Sequence, residues 1–293
     1  MSEVQQNHRM SQRELEQSIH VELSKKETYA GYLQLDRLLE AQHPRSAEHD
    51  ELLFIIQHQT SELWMKLMLH ELDRALAYVK ADQLEPCFKI FARVAHIQRM
   101  LFEQWAVLET MTPTEYLAFR DALGRSSGFQ SFQYRGLEFM LGNKDANTLL
   151  PHRDDPATHA WLQQRLEQPS LYDEFLRLLA RKGHPIPADR LERDFTRPYE
   201  KSAQVMAVFK TVYDAPVQHW AAYEMAEKLV DTEERFHLWR FRHMKTVHRI
   251  IGHKQGTGGS SGVTFLQKAL EQTFFPELWD VRTELSPPPP RHA

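Results

Sequence analysis

The chain has 293 residues, 42% hydrophobic and 26% charged, which is enough apolar material for a sizeable core and too much for a disordered chain. Its formal charge of −4 shows no excess of basic residues, so bulk charge argues against nucleic acid or an anionic membrane as a partner. A single cysteine, Cys87, excludes an intrachain disulfide, a cysteine-rich zinc site and a cluster held by several thiolates, and a reducing, cytoplasmic setting is expected.

Residues 1–20 are polar and mixed in charge, without the apolar segment of a signal peptide, and residues 1–24 read as a mobile N-terminal arm. No uncharged apolar run approaches the roughly 20 residues needed to span a bilayer. Beyond the arm the pattern is helical almost throughout. Residues 51–80, 86–111, 113–123, 129–142, 169–182, 198–214, 216–251 and 263–273 carry apolar side chains at three-and-four spacing, and convincing period-2 alternation is absent. Pro86 suits a first helical position, and Thr112-Pro113-Thr114-Glu115 reads as a capping box with proline just inside the start. Gly142-Asn143 and Gly183 look like C-terminal stops. Residues 143–168, polar and proline-bearing, are expected as a surface excursion, and residues 286–293, with Pro287 to Pro290, as a stiff exposed tail. The expected fold is all-α, one large helical-bundle domain over residues 25–285.

Two histidines sit on apolar stripes. At about 100° per residue His58 shares a face with Phe54, Met65, Leu69, Leu72 and Leu76. Leu53, Leu63 and Leu67 lie opposite, so this helix is expected to run through the centre of the domain. In the 216–251 helix, His243 aligns with Leu229, Thr232, Phe236, Trp239, Val247 and Ile250, whereas His237 and His248 fall to one side. An inward histidine is more often a core residue bonded to a carbonyl than a ligand. Two of them on separate buried helices could flank a planar cofactor.

Tyr116 and Arg120, four apart, share a face of the helix capped by Thr112. Such an arginine either forms a structural ion pair or grips a small carboxylate at two points. Gly256-Thr257-Gly258-Gly259-Ser260-Ser261-Gly262 supplies backbone able to approach a ligand or move as a lid, but lacks the order of a phosphate-binding P-loop. A di-iron site is a poor match. Glu234-Arg235-Phe236-His237 has the spacing but points away from His243, and Glu40-Ala41-Gln42-His43 runs into Pro44.

Longer strings go further. Phe54-Ile55-Ile56-Gln57-His58-Gln59-Thr60-Ser61-Glu62-Leu63-Trp64, Trp239-Arg240-Phe241-Arg242-His243-Met244 and Gly256 to Val263 resemble signature blocks of the tryptophan 2,3-dioxygenase family. So do Thr28 to Leu33, Tyr116 to Arg120 and Ser126 to Ser131, in order over roughly residues 27–142 and 170–283. The resemblance implies a bundle enclosing one non-covalent haem b per subunit, with His243 as the axial iron ligand. It places His58 on the distal side, accepting a hydrogen bond from the indole N–H, and Ser127 and Gly128 along the haem edge. Arg120 would hold the carboxylate of L-tryptophan, Thr257 and a haem propionate its ammonium, while Phe54 and Tyr116 wall the indole. Tyr29, Tyr32 and Leu33 would come from a neighbouring subunit of a homotetramer that exchanges its N-terminal segments. The implied reaction inserts both atoms of O2 across the indole C2–C3 bond, giving N-formyl-L-kynurenine, the first step of tryptophan degradation by the kynurenine pathway. A haem-binding sensor or carrier without turnover and a helical interaction scaffold are the competing readings; the second predicts a colourless protein.

Overall fold

Most helices form where the spacing predicts them. The computed structural model describes residues 16–24 and 28–286 and divides the chain into two compact units, residues 1–43 and 44–293. The first unit holds α1 (Tyr29–Leu33) and α2 (Leu35–Leu39). The Thr28 hydroxyl caps α1 by accepting from the Gly31 N–H, and neither helix buries a residue. Residues 1–15 of the expected arm and 287–293 of the expected tail lie outside the described residues.

The second unit contains α3 (Asp50–Lys80), α4 (Glu85–Glu103), α5 (Trp105–Leu108), α6 (Pro113–Phe119), α7 (Phe132–Leu141) and α8 (Pro156–Glu167). It continues through α9 (Leu171–Arg181), α10 (Ala188–Leu191), α11 (Ala203–Asp214), α12 (Trp220–Ile251), α13 (Val263–Ala269) and α14 (Pro276–Glu284). No strand occurs among the described residues, and none of their helices is long and apolar enough to cross a membrane. The amphipathic α4 packs against both long helices, α3 and α12. Their shared core joins Met68 and Leu72 of α3, Phe91 and Val94 of α4, and Leu229 and Phe236 of α12, with Phe175, Phe209 and Phe275 closing it. Each such side chain stabilises the fold by roughly 1.5–3 kcal/mol on full burial. A second, smaller cluster of Trp105, Leu108, Met111, Tyr116, Phe119 and Ile250 lies where α5 and α6 meet the end of α12. That cluster positions the site.

Three expectations change. The helix expected over 86–111 ends at Glu103, and Gln104 turns the chain while its side chain donates to Ser61 Oγ and accepts from Thr60. Residues 143–168 are not a surface excursion. They form a 3-10 turn at Ala146–His152 and α8, whose Leu162 and Leu166 are buried with Leu149 and Phe139. Close approach of α8 requires Gly136, where a Cβ would stand 2.4 Å from the Trp161 ring. Finally, α3 is not enclosed on all sides: Leu52, Ile56, Leu63 and Leu67, at helical spacing, form an exposed apolar stripe along it.

Candidate active site

Local rules place the site's side chains. The capping box at Thr112 is present, with the Thr112 hydroxyl accepting from Glu115 N–H and the Glu115 carboxylate accepting from Thr112 N–H at 2.6 Å. It starts α6 so that Tyr116 and Phe119 turn inward, and a 3-10 turn at Arg120–Leu123 then carries Arg120 to the pocket rim. From α3, Phe54 stacks obliquely on His58 with centroids 4.1 Å apart, and its ring lies 6.0 Å from Tyr116 and 5.6 Å from Phe119. Phe54, His58, Tyr116 and Arg120 therefore belong to one wall.

The His58 tautomer is set by its partner. Nδ1 lies 2.7 Å from the Phe54 carbonyl oxygen, which can only accept, so Nδ1 carries the proton and Nε2 keeps a lone pair for a donor. Burial lowers the His58 pKa against the opposing carbonyl contact and the Glu62 charge, favouring the neutral ring.

His243 has no hydrogen-bond partner among the described residues. Its neighbours are two indoles: Trp105 lies flat against it, centroids 4.8 Å apart at 11°, and Trp239 is tilted at 5.7 Å and 34°. Burial, reinforced by repulsion from His58, pushes its pKa down to about 4. His58 is thus close enough to disfavour charge on His243. Both keep part of their surface open while sitting deep enough to be desolvated, as rings do when they border an internal space. The side-facing histidines are used otherwise: His237 Nε2 meets the Gln272 carbonyl oxygen and His248 is exposed.

The glycine loop packs against Arg120, Ser126 and Ser127. Arg120 donates to the Gln255 carbonyl oxygen at 2.6 Å, and its buried Nε–H has no partner. The Thr257 hydroxyl donates to the Ser126 carbonyl oxygen. Gly258 lies so near Ser127 that a Cβ would meet the Ser127 Cβ at 2.5 Å, and Gly262 has φ of +60° with the Lys254 carbonyl oxygen 2.6 Å from where its Cβ would be. Ser127 and Gly128 are thereby brought to the loop, next to Thr257. Tyr29 and Tyr32 lie in the first unit, on α1, with 77% and 82% of their surface exposed, and Leu33 is exposed there as well.

Two site residues escaped the sequence reading. Trp105 carried no signal beyond membership of an apolar helix, and the Gln255 carbonyl is backbone, which no side-chain pattern announces.

The donor set fits haem. Among the described residues no three His, Cys, Asp or Glu side chains converge as a metal site. One unpartnered, neutral imidazole is too few donors for a bare ion but suits an iron whose equatorial positions a porphyrin fills.

A family model described as tryptophan 2,3-dioxygenase matches residues 14–285. A tryptophan 2,3-dioxygenase of Myxococcus xanthus (strain DK1622) is 68% identical over 285 residues, covering 97% of this chain and 98% of that one. Proteins of the same name from Serratia proteamaculans (strain 568) and Burkholderia pseudomallei (strain 668) are 63% and 57% identical. These cover 94% and 90% of this chain and 99% and 87% of their own lengths.

Proposed function

The chain belongs to the tryptophan 2,3-dioxygenase family, and from that membership we infer that it opens the indole C2–C3 bond of L-tryptophan with both atoms of O2, giving N-formyl-L-kynurenine. Haem b, one per subunit, would supply an iron centre able to activate O2 toward an electron-rich ring. His243 would hold that iron through the lone pair its low proton affinity leaves free. Across the pocket, the free His58 Nε2 accepts the indole N–H, which orients the ring without needing to take the proton. Phe54 and Tyr116 wall the indole, and Ser127 and Gly128 border the haem edge. Arg120, with one N–H on a replaceable carbonyl and one unpartnered, exchanges the Gln255 oxygen for the substrate carboxylate in a two-point grip. Thr257, released from Ser126, receives the ammonium together with a haem propionate, and the glycine loop keeps water out.

The observation that carries this reading is the pairing of two neutral, desolvated imidazoles, His58 and His243, with an arginine that holds an open N–H and a replaceable carbonyl contact to the glycine loop. A haem sensor or carrier without turnover needs neither the arginine nor the loop. Purified, haem-loaded protein should show a haem absorption band and consume one O2 per L-tryptophan. A coloured protein that consumes none is the sensor or carrier, and a colourless one that gains no band when haem is supplied ends the haem reading.

The assembly inferred is a homotetramer in the cytoplasm. Tyr29, Tyr32 and Leu33 of one subunit complete the pocket of a neighbour, and the Leu52–Leu67 stripe meets another copy. Support comes from the exposed apolar surface at both places. Light scattering that returns a monomer under assay conditions refutes the exchange.

A further inference from the structure

Provided that His243 holds the haem iron, as inferred above, the geometry points to Trp105 as a positioning residue that fixes the rotation of the His243 ring by lying flat against it. Metal-bound imidazoles ordinarily donate their second N–H to a carbonyl or carboxylate, and that bond sets the ring plane. His243 lacks such a partner among the described residues, so its orientation has to come from packing. Of the two rings it touches, Trp105 is nearly parallel, at 11°, and the closer, at 4.8 Å. Rotation of the imidazole about its bond to a metal would drive a ring edge into the indole face. The contact with Trp239, tilted by 34° at 5.7 Å, opposes that rotation less.

Trp105 is itself tightly packed. It is 5% exposed, opens α5, and is held between the Phe119 and Ile250 cluster and the Trp239 ring 6.1 Å away. Its own buried N–H has no acceptor among the described residues, a cost that phenylalanine at this position would not carry. What the residue offers is therefore its flat face. Among the described residues no carboxylate or carbonyl takes the imidazole N–H, and the flat indole face restrains the ring without adding charge.

The test uses the haem-loaded full chain and the iron–histidine stretching band of the ferrous form in resonance Raman, together with the rate of haem transfer to an acceptor apoprotein. Trp105→Leu should broaden or split the band as the ring samples several rotations, and haem should leave about ten-fold faster. Trp105→Phe, which restores a flat face, should return the band toward the wild-type shape, and Trp239→Leu should leave it sharp. If Trp105→Leu does not fold, Trp105→Met carries the same expectation. An unchanged band in Trp105→Leu, or in Trp105→Met where that stands in for it, overturns the proposal, as does a Trp239→Leu band disturbed equally or a Phe variant that rescues nothing. A wild-type protein that takes up no haem refutes the underlying haem reading instead; a sharp band indifferent to Trp105 refutes only this one.

Discussion

The pocket and the rest of the helical interior differ in how they hold buried charge. In the interior, each buried carboxylate is saturated. Glu138 binds Arg135, Arg240 and Asn143; Asp173 binds Arg193 twice and caps its own helix at Ser170. Glu233 accepts the Phe274 and Phe275 N–H groups, and Glu277 accepts from Tyr172, Tyr199 and Ser202. Around the pocket the buried Trp105 and Trp239 N–H groups and the Arg120 Nε–H stand without partners among the described residues. Buried polar groups left open cost stability. Such atoms also occur elsewhere in the interior, at Gln98 Oε1 and Arg135 Nε, so what sets the pocket apart is the convergence of open donors with two desolvated imidazoles. The saturated carboxylates tie together helices and the segments between them.

Substitutions should separate the two regions. The largest effect is expected from His243→Ala: haem binding and O2 consumption fall to background, while urea unfolding of the apoprotein stays the same or shifts to higher denaturant, because an unpartnered polar ring has been removed. Marked destabilisation of the apoprotein would put His243 in the scaffold. Asp173→Asn should do the reverse, costing about 3–5 kcal/mol in urea unfolding by leaving Arg193 buried without its charge partner. The haem band and substrate affinity of the fraction that folds should be unaltered. Smaller and more selective is Arg120→Leu, for which kcat/KM with L-tryptophan should fall by about 2–3 kcal/mol, roughly a hundredfold. Indole compounds without a carboxylate should lose little; equal loss for both would remove the carboxylate role.

The same division explains what the sequence made legible. Capping boxes and apolar periodicity are local, so α3, α6, α9 and α12 were readable within a few residues. His58 and His243 stood out because a polar ring interrupts an apolar stripe. α8 was missed because only Leu162 and Leu166 of its 12 residues are buried, too few to set a period, although the Asp155-Pro156 start was there to be read. The exposed stripe on α3 defeated the inference from apolarity to centrality, since periodicity reports that a face avoids water but not what covers it. Contacts between distant segments, such as Trp105 on His243 or Arg120 on the Gln255 carbonyl, have no local signature at all.

Two buried bases extend the comparison to pH. Lys144, in the scaffold, donates to the Arg165 and Gln168 carbonyl oxygens at 2.7 Å each, and burial pushes its pKa down to about 7. In the unfolded chain a lysine takes its proton below about 10.4. Between these values the unfolded state binds the extra proton, so stability should rise with pH from about 7 to 10, by at most about 1.4 kcal/mol per unit. Cys87, pushed up to about 11 in the fold against about 8.5 in the unfolded chain, keeps its proton longer when folded and opposes that rise above about pH 8.5. The net gain is therefore expected between about pH 7 and about 8.5; Tyr134, pushed up to about 12 from about 10, acts only above the window. His243, with a folded pKa of about 4 against an unfolded value near 6.5, gives the apoprotein a second, separate rise across the acid interval, to which His58 contributes in the same direction. Urea unfolding of the apoprotein from pH 4 to 10 should therefore show two limbs. Lys144→Met should flatten only the alkaline limb and His243→Leu weaken only the acid one. An alkaline slope that survives Lys144→Met would mean the amine stays charged in the fold, held by its two carbonyls and the nearby Asp173 carboxylate against the cost of burial.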